Sequence, residues 1–162
     1  MKEKRNYSFD YEVYASLNQL SVADQKLLYA AVEVSKDAYA PYSNFHVGAA
    51  VELENGEVVK GSNQENGAYP SGLCAERVAL FAASANFPNV KMKTIAIYAE
   101  QSVEEGDQIS PCGSCRQVMS EYELKQDSDL RVLLMNGNGK VWELKSSQLL
   151  LPFAFKFKAT KK

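Results

Sequence analysis

The chain has three cysteines, in two places: Cys74 opens Cys74-Ala75-Glu76-Arg77, and Cys112 and Cys115 lie within Pro111-Cys112-Gly113-Ser114-Cys115-Arg116. Cys112 and Cys115 are three apart, so in the first turn of a helix both sulfurs face one side, where backbone amides favour the thiolate. Thiolates are soft ligands that select zinc over magnesium or calcium. A structural zinc site closes with four protein ligands, whereas a catalytic one supplies three and keeps the fourth position for water or substrate. Cys74, Cys112 and Cys115 match the second pattern and predict one Zn²⁺ per chain. Three thiolates on Zn²⁺ leave a net negative charge that must be offset. Arg77, three residues after Cys74 on the same helical face, is the expected thiolate partner, with Arg116 and two helix N-termini adding positive potential. Glu76 follows a ligand by two residues and can reach a water without being a ligand, so it suits a proton shuttle acting first as general base and then as general acid. The reaction class is hydrolytic release of ammonia.

Plainer readings weigh against this one. A Cys-x-x-Cys alone fits a redox pair or half of a structural zinc site. The redox reading leaves Cys74 unexplained, and the structural one lacks its fourth ligand. The single histidine, His46, sits at a strand start apart from the cysteines and is expected to be structural or solvent-facing. Phe45, Tyr69 and Phe155 taken singly would be core residues, and Arg77 a solvated helix charge.

The elements that must position these groups follow from spacing. Ser21 can cap a helix carrying Leu27, Leu28, Ala31, Val34 and Ala38 as its apolar stripe, ending near Ala40-Pro41. Strand-like runs on either side of Glu54-Asn55-Gly56 predict a hairpin. A helix from Cys74 to about Ala85, a buried strand over 93–99, an acidic loop over 101–110, a helix from Cys112 to about Tyr122 and a strand over 130–135 come next. Asn136-Gly137-Asn138-Gly139 turns the chain into a last strand at 140–144 and a helical turn over 146–152. Residues 1–20 are an arm or a short helix. The order predicts an α/β fold of three layers, with a mixed five-stranded sheet covered by helices on both faces. Both cysteine motifs then start helices, and their N-termini can converge.

A chain of 162 residues supports one core rather than two domains. With a formal charge of −2 and a pI near 5.5 it lacks the footprint of a nucleic-acid binder, so a small-molecule substrate is favoured. No apolar run reaches membrane-span length and the first residues do not read as a signal peptide, which with unpaired cysteines predicts a cytoplasmic protein with no membrane partner.

Cys-Ala-Glu-Arg followed by Pro-Cys-Gly-Ser-Cys-Arg-Gln resembles the small cytidine deaminases of nucleoside salvage. So do Ala40-Pro41-Tyr42-Ser43-Asn44-Phe45-His46-Val47-Gly48-Ala49-Ala50 and Gly61-Ser62-Asn63-Gln64-Glu65-Asn66. The resemblance spans about 21–155, leaving an N-terminal extension (1–20) and a basic tail (156–162). It implies zinc-dependent deamination of cytidine and 2′-deoxycytidine, with Glu76 catalytic. It also implies Phe45 packed on the base, Asn63 and Glu65 on the ribose hydroxyls, and the backbone at Ala75 and Cys112 near the base. A homotetramer is implied in which Tyr69 and Phe155 reach a neighbouring site. Gln64 and Phe153 stand where that family usually has an aliphatic and a small residue. The alternatives are a deaminase of a cytosine nucleoside antibiotic such as blasticidin S, and a zinc-binding module without catalysis.

Overall fold

The computed structural model describes residues 1–101, 104 and 107–157. Parts of the 101–110 loop, and Lys158, Lys161 and Lys162 of the basic tail, lie outside the described residues.

Along the chain come β1 (Glu12–Tyr14), α1 (Val22–Ser35), β2 (Val47–Leu53), β3 (Val58–Ser62), α2 (Ala75–Asn86), β4 (Met92–Ala99), α3 (Gly113–Gln126), β5 (Arg131–Asn136) and β6 (Val141–Leu144). A short 3₁₀ turn at Ser147–Leu150 ends the regular structure before the tail. The sheet has the order β1-β6-β5-β4-β2-β3, with β4 and β5 parallel and the other pairs antiparallel.

Six strands, not the expected five, make the sheet. Residues 12–14 pair with β6 in the register Glu12↔Glu143 to Tyr14↔Val141. A three-residue strand among polar neighbours has no periodicity to reveal it. What fixes it is tertiary: the Tyr11 ring lies 4.7 Å from that of Trp142, and the Tyr14 hydroxyl donates to Glu143 at 2.9 Å.

Alternation along the strands separates two apolar layers. Ala50, Ala96 and Leu133 face α1 with Leu27, Leu28 and Ala31. Ala49, Val51, Ile95, Ile97, Val132 and Leu134 face the other way, against Ala79, Leu80, Cys115 and Met119 of α2 and α3. Two glycines permit this close stacking. A Cβ on Gly48 would lie 2.0 Å from the Ala31 carbonyl oxygen, and one on Gly61 would lie 2.6 Å from the Ala79 amide nitrogen.

Ser21 caps α1 as expected, accepting from the Asp24 amide at 3.2 Å. The helix stops at Ser35, short of Ala40-Pro41. Beyond a turn, Tyr39 donates its N–H to the Asn63 carbonyl at 3.0 Å and accepts from the Glu65 amide at 2.8 Å. Those bonds pull residues 36–40 out of the helix and against the segment that follows β3.

Arg131 of β5 joins three elements, giving two bonds to Asp24 of α1 at 2.7 and 2.8 Å and one to Glu143 of β6 at 2.6 Å. Near the far end of α3, Glu123 is 3% exposed. Its carboxylate accepts from the Leu130 and Gln148 amides and the Ser146 and Ser147 hydroxyls at 2.6–3.0 Å. Four donors satisfy a charge that would otherwise be costly to bury. α3 is thereby fixed to two segments that follow it, the entry to β5 and the 3₁₀ turn after β6, and its N-terminus is held where the chemistry needs it. No helix among the described residues is long and apolar enough to cross a membrane.

Candidate active site

The parallel strands β4 and β5 end at Ala99 and Asn136 on the edge where β2 begins and β3 ends, because Val47 pairs with Ala99 and Gly48 with Ser62. Carboxyl ends of parallel strands are the usual place for a ligand crevice in α/β sheets. α2 and α3 both start here, with Cys74 and Cys112 as their N-cap residues. Cys115 is in the first turn of α3.

The convergence expected from the sequence is realised. The Cys74 and Cys112 sulfurs are 3.8 Å apart and those of Cys112 and Cys115 are 3.6 Å apart, with all three within 4.8 Å of one another. Four sulfur-length bonds of ~2.3 Å around tetrahedral zinc place neighbouring ligands about 3.8 Å apart. The donor set therefore fits zinc in both chemistry and spacing. Two helix N-termini aimed at the cluster supply positive potential.

Arg77 Nη2 lies 3.9 Å from the Cys74 sulfur and also donates to the Gly72 carbonyl at 3.4 Å. The Cys74 thiol is drawn down to about 5, first by the bond from Cys115 and then, against burial, by Arg77. The same bond and burial push Cys115 up. Arg116 does not join this offset. Its donors go to the Pro111 carbonyl at 2.7 Å, the Ser110 hydroxyl at 2.8 Å and the Leu150 carbonyl at 3.0 Å. It is a strut holding the entry to α3 against the C-terminal turn.

Glu76 is 4% exposed, in the first turn of α2. Burial, chiefly, raises its carboxyl to about 7, with the neighbouring Cys74 adding to the rise. A carboxyl poised there can both take and give a proton near neutrality.

A cavity of about 590 Å³ opens over this cluster, within the range of small-molecule sites. Cys74, Glu76, Arg77 and Cys112 share its wall with Phe45, Asn63, Glu65 and Tyr69. Ile97 and Ile109 add apolar wall that the sequence reading did not single out. Ala75 is fully buried in the core beneath, where its amide is one of the free first-turn donors of α2. Tyr69 is 80% exposed and meets Tyr42 edge-on, with ring centroids 6.4 Å apart.

Phe155 does not line the cavity and is 71% exposed. Gln117 holds its backbone, donating to the Phe155 carbonyl at 2.8 Å and accepting from its amide at 3.1 Å. His46 is paired through Nδ1 with Glu100 at 3.1 Å, on the surface as expected.

Asn63 and Glu65 are more occupied than the sequence suggested. Asn63 accepts from the Val47 amide and donates to the Phe45 carbonyl, both at 2.9 Å. Glu65 accepts from the Tyr42 and Ser43 amides at 2.9 and 3.3 Å, and from the Ser43 hydroxyl at 2.5 Å. The Ser43 hydroxyl, chiefly, and these amides hold the Glu65 carboxyl below its ordinary range. The backbone partners of these side chains had no signal in the sequence.

Fold and site together are those of a hydrolytic centre in which Cys74, Cys112 and Cys115 would hold zinc. Residues 21–127 match the family model described as the cytidine and deoxycytidylate deaminase zinc-binding region, and the chain belongs to that family. It is 39% identical over 131 residues to a cytidine deaminase of Halalkalibacterium halodurans, covering 81% of this chain and 92% of the relative. The crystal structure of a cytidine deaminase from Burkholderia pseudomallei superposes with a TM-score of 0.71 at 41% identity, covering 84% of this chain and all of the other. A blasticidin-S deaminase of Bacillus cereus is more distant, 28% identical over 106 residues, 64% of this chain and 75% of the relative.

Proposed function

We propose that the protein hydrolyses cytidine and 2′-deoxycytidine to uridine and 2′-deoxyuridine with release of ammonia, in the salvage of pyrimidine nucleosides. The observation that carries this reading is the buried Glu76 carboxyl, raised to about 7, beside three clustered thiols, two of which line the same cavity as Glu76. A zinc module without catalysis has no use for such a group, since a buried ionisable carboxyl costs stability.

Cys74, Cys112 and Cys115 are the residues that hold zinc, which when bound supplies a Lewis acid that makes water a nucleophile at neutral pH. Arg77 and the N-termini of α2 and α3 offset the thiolate charge. Glu76 takes a proton from the water as its oxygen joins C4 and delivers that proton to N3. It then moves the second proton to the amino group as the C4–N4 bond breaks. The products are ammonia and a uracil ring protonated at N3.

Phe45 packs against the base, the backbone at Ala75 and Cys112 meets its polar edge, and Asn63 and Glu65 bind ribose hydroxyls. Glu65 Oε1 retains one acceptor position, and Asn63 one donor and one acceptor. The assembly is a homotetramer in which Tyr69 and Phe155 complete a neighbour's site; the exposure of both rings, with Phe155 outside the lining of its own chain's cavity, supports this reading. Residues 21–155 form the catalytic domain, with 1–20 an extension and 156–162 a tail, in a cytoplasmic enzyme.

The test follows the ultraviolet change of cytidine, deoxycytidine, cytosine and blasticidin S with the zinc-loaded protein. Turnover of the first two is expected. Turnover of blasticidin S alone would transfer the assignment to antibiotic inactivation, and turnover of none would leave a non-catalytic zinc module.

A further inference from the structure

The segment between α1 and β2 forms the aromatic side of the cavity, and its conformation is held by side chains rather than by regular structure. Asn44 sits at φ 54°, a left-handed conformation that non-glycine residues enter at a cost, with asparagine among the most tolerant. Its amide donates to the Ala40 carbonyl at 3.0 Å, and its carbonyl accepts from Gln101 at 3.0 Å. One hydroxyl here joins the Glu65 carboxylate to the peptide that carries the Phe45 ring. Ser43 Oγ donates to Glu65 Oε1 at 2.5 Å and accepts from the Phe45 amide at 3.0 Å. Asn63 closes the other side by donating to the Phe45 carbonyl at 2.9 Å. The peptide carrying the Phe45 ring is therefore anchored at both ends to polar groups that line the sugar side.

We propose that Ser43 is a positioning residue that couples recognition of the sugar to placement of the Phe45 wall, a role that rests on the nucleoside reading of this pocket. Its hydroxyl fixes the orientation of the Glu65 carboxylate, so that the remaining acceptor position of Oε1 faces the ligand. Through its second bond it holds the Phe45 backbone in register with that carboxylate. A sugar hydroxyl bound at Glu65 thus finds the base wall already in place. A nucleoside without the 2′ and 3′ hydroxyls gains nothing from the Glu65 half of the link.

The test measures kcat and KM of the zinc-loaded enzyme for cytidine and for 2′,3′-dideoxycytidine with wild type, Ser43→Ala and Ser43→Thr. Loss of one hydrogen bond to a charged group predicts about a tenfold rise in KM for cytidine with Ser43→Ala. The ratio of kcat/KM between cytidine and the dideoxy analogue should fall by the same factor, and Ser43→Thr, which keeps the hydroxyl, should restore most of it. Equal losses on both substrates would overturn the coupling and leave Ser43 as a support of the turn alone. A Ser43→Ala variant indistinguishable from wild type on cytidine would overturn the role altogether. Wild-type turnover of cytidine in the same assay separates either result from a failure of the nucleoside reading, and zinc content with thermal melting identifies a variant that has merely misfolded.

Discussion

The cavity has two halves built in opposite ways. On one side, Cys74, Glu76, Cys112 and Cys115 stand at the caps and first turns of two helices whose far ends are packed or bonded into the body, α3 by the four donors on Glu123. On the other, Tyr42 to Val47 is an irregular turn kept in shape by the side chains of Glu65, Asn63 and Ser43. Metal ligands and a proton carrier tolerate little displacement, and helix ends provide rigidity without using the functional groups themselves. The substrate side spends most of its hydrogen-bonding capacity on its own backbone and leaves only a few positions for a ligand. Substitutions in the first half should therefore abolish chemistry with the fold intact, whereas those in the second should change affinity in graded steps.

The largest separation is expected at Glu76. Glu76→Gln keeps the shape and removes the proton carrier, so kcat should fall by at least about 10²–10⁴-fold, with zinc content unchanged. Next comes the ligand set: Cys112→Ala leaves two thiols, and metal analysis should find the roughly one zinc per chain of the wild type largely gone, with activity lost in parallel. In the second half, Phe45→Ala removes an aromatic wall worth about 1 kcal/mol beyond its area, so KM should rise roughly tenfold while kcat changes less. If kcat fell as steeply with Phe45→Ala as with Glu76→Gln, the division between the halves would fail.

Two smaller effects concern the frame that carries the rigid half. Glu123→Ala strands two buried donors, the Leu130 amide and the Ser147 hydroxyl, and should destabilise the protein by about 3 kcal/mol in denaturant unfolding, with little effect on kcat in the fraction that remains folded. Asp24 should give the smallest effect, seen as acid sensitivity. Burial by itself would raise its carboxyl, but the bonds from Arg131 and then Ser21 outweigh that and hold it below its ordinary value of 3.8. A group with a depressed folded pKa contributes stability above its unfolded value and loses it as pH falls through the folded one. Wild type should therefore lose stability relative to Asp24→Asn as pH drops from about 5 towards 3, and melting curves across that range measure it.

The two halves also differed in how far they could be read from the chain. The thiol cluster was legible because Cys74 and Cys112 each begin a helix and bring near neighbours with them: Glu76 and Arg77 come within three residues of Cys74, and Cys115 lies three residues after Cys112 in the first turn of α3. Strands β2 to β6 and the Asn55-Gly56 hairpin were legible from strand-like apolar runs and turn chemistry. Phe45, Asn63 and Glu65 could be chosen only through resemblance, because their positions depend on contacts between segments about 20 residues apart that no local spacing encodes. The same holds for β1, fixed by Tyr11 on Trp142, and for the early end of α1, fixed by the bonds of Tyr39. Arg116 shows the converse: its place beside Cys115 suggested electrostatic service to the thiols, yet its reach took it to the carbonyls of Pro111 and Leu150.

The central claim is that three thiols and a buried carboxyl form one hydrolytic centre for a cytosine nucleoside. The most direct test is release of ammonia and uridine from cytidine by wild type and Glu76→Gln, with zinc determined on the same samples. The account predicts roughly one zinc per chain in both proteins, turnover by wild type, and a loss of at least about a hundredfold in the variant. Full zinc occupancy with no turnover by wild type, or undiminished turnover by Glu76→Gln, would contradict it.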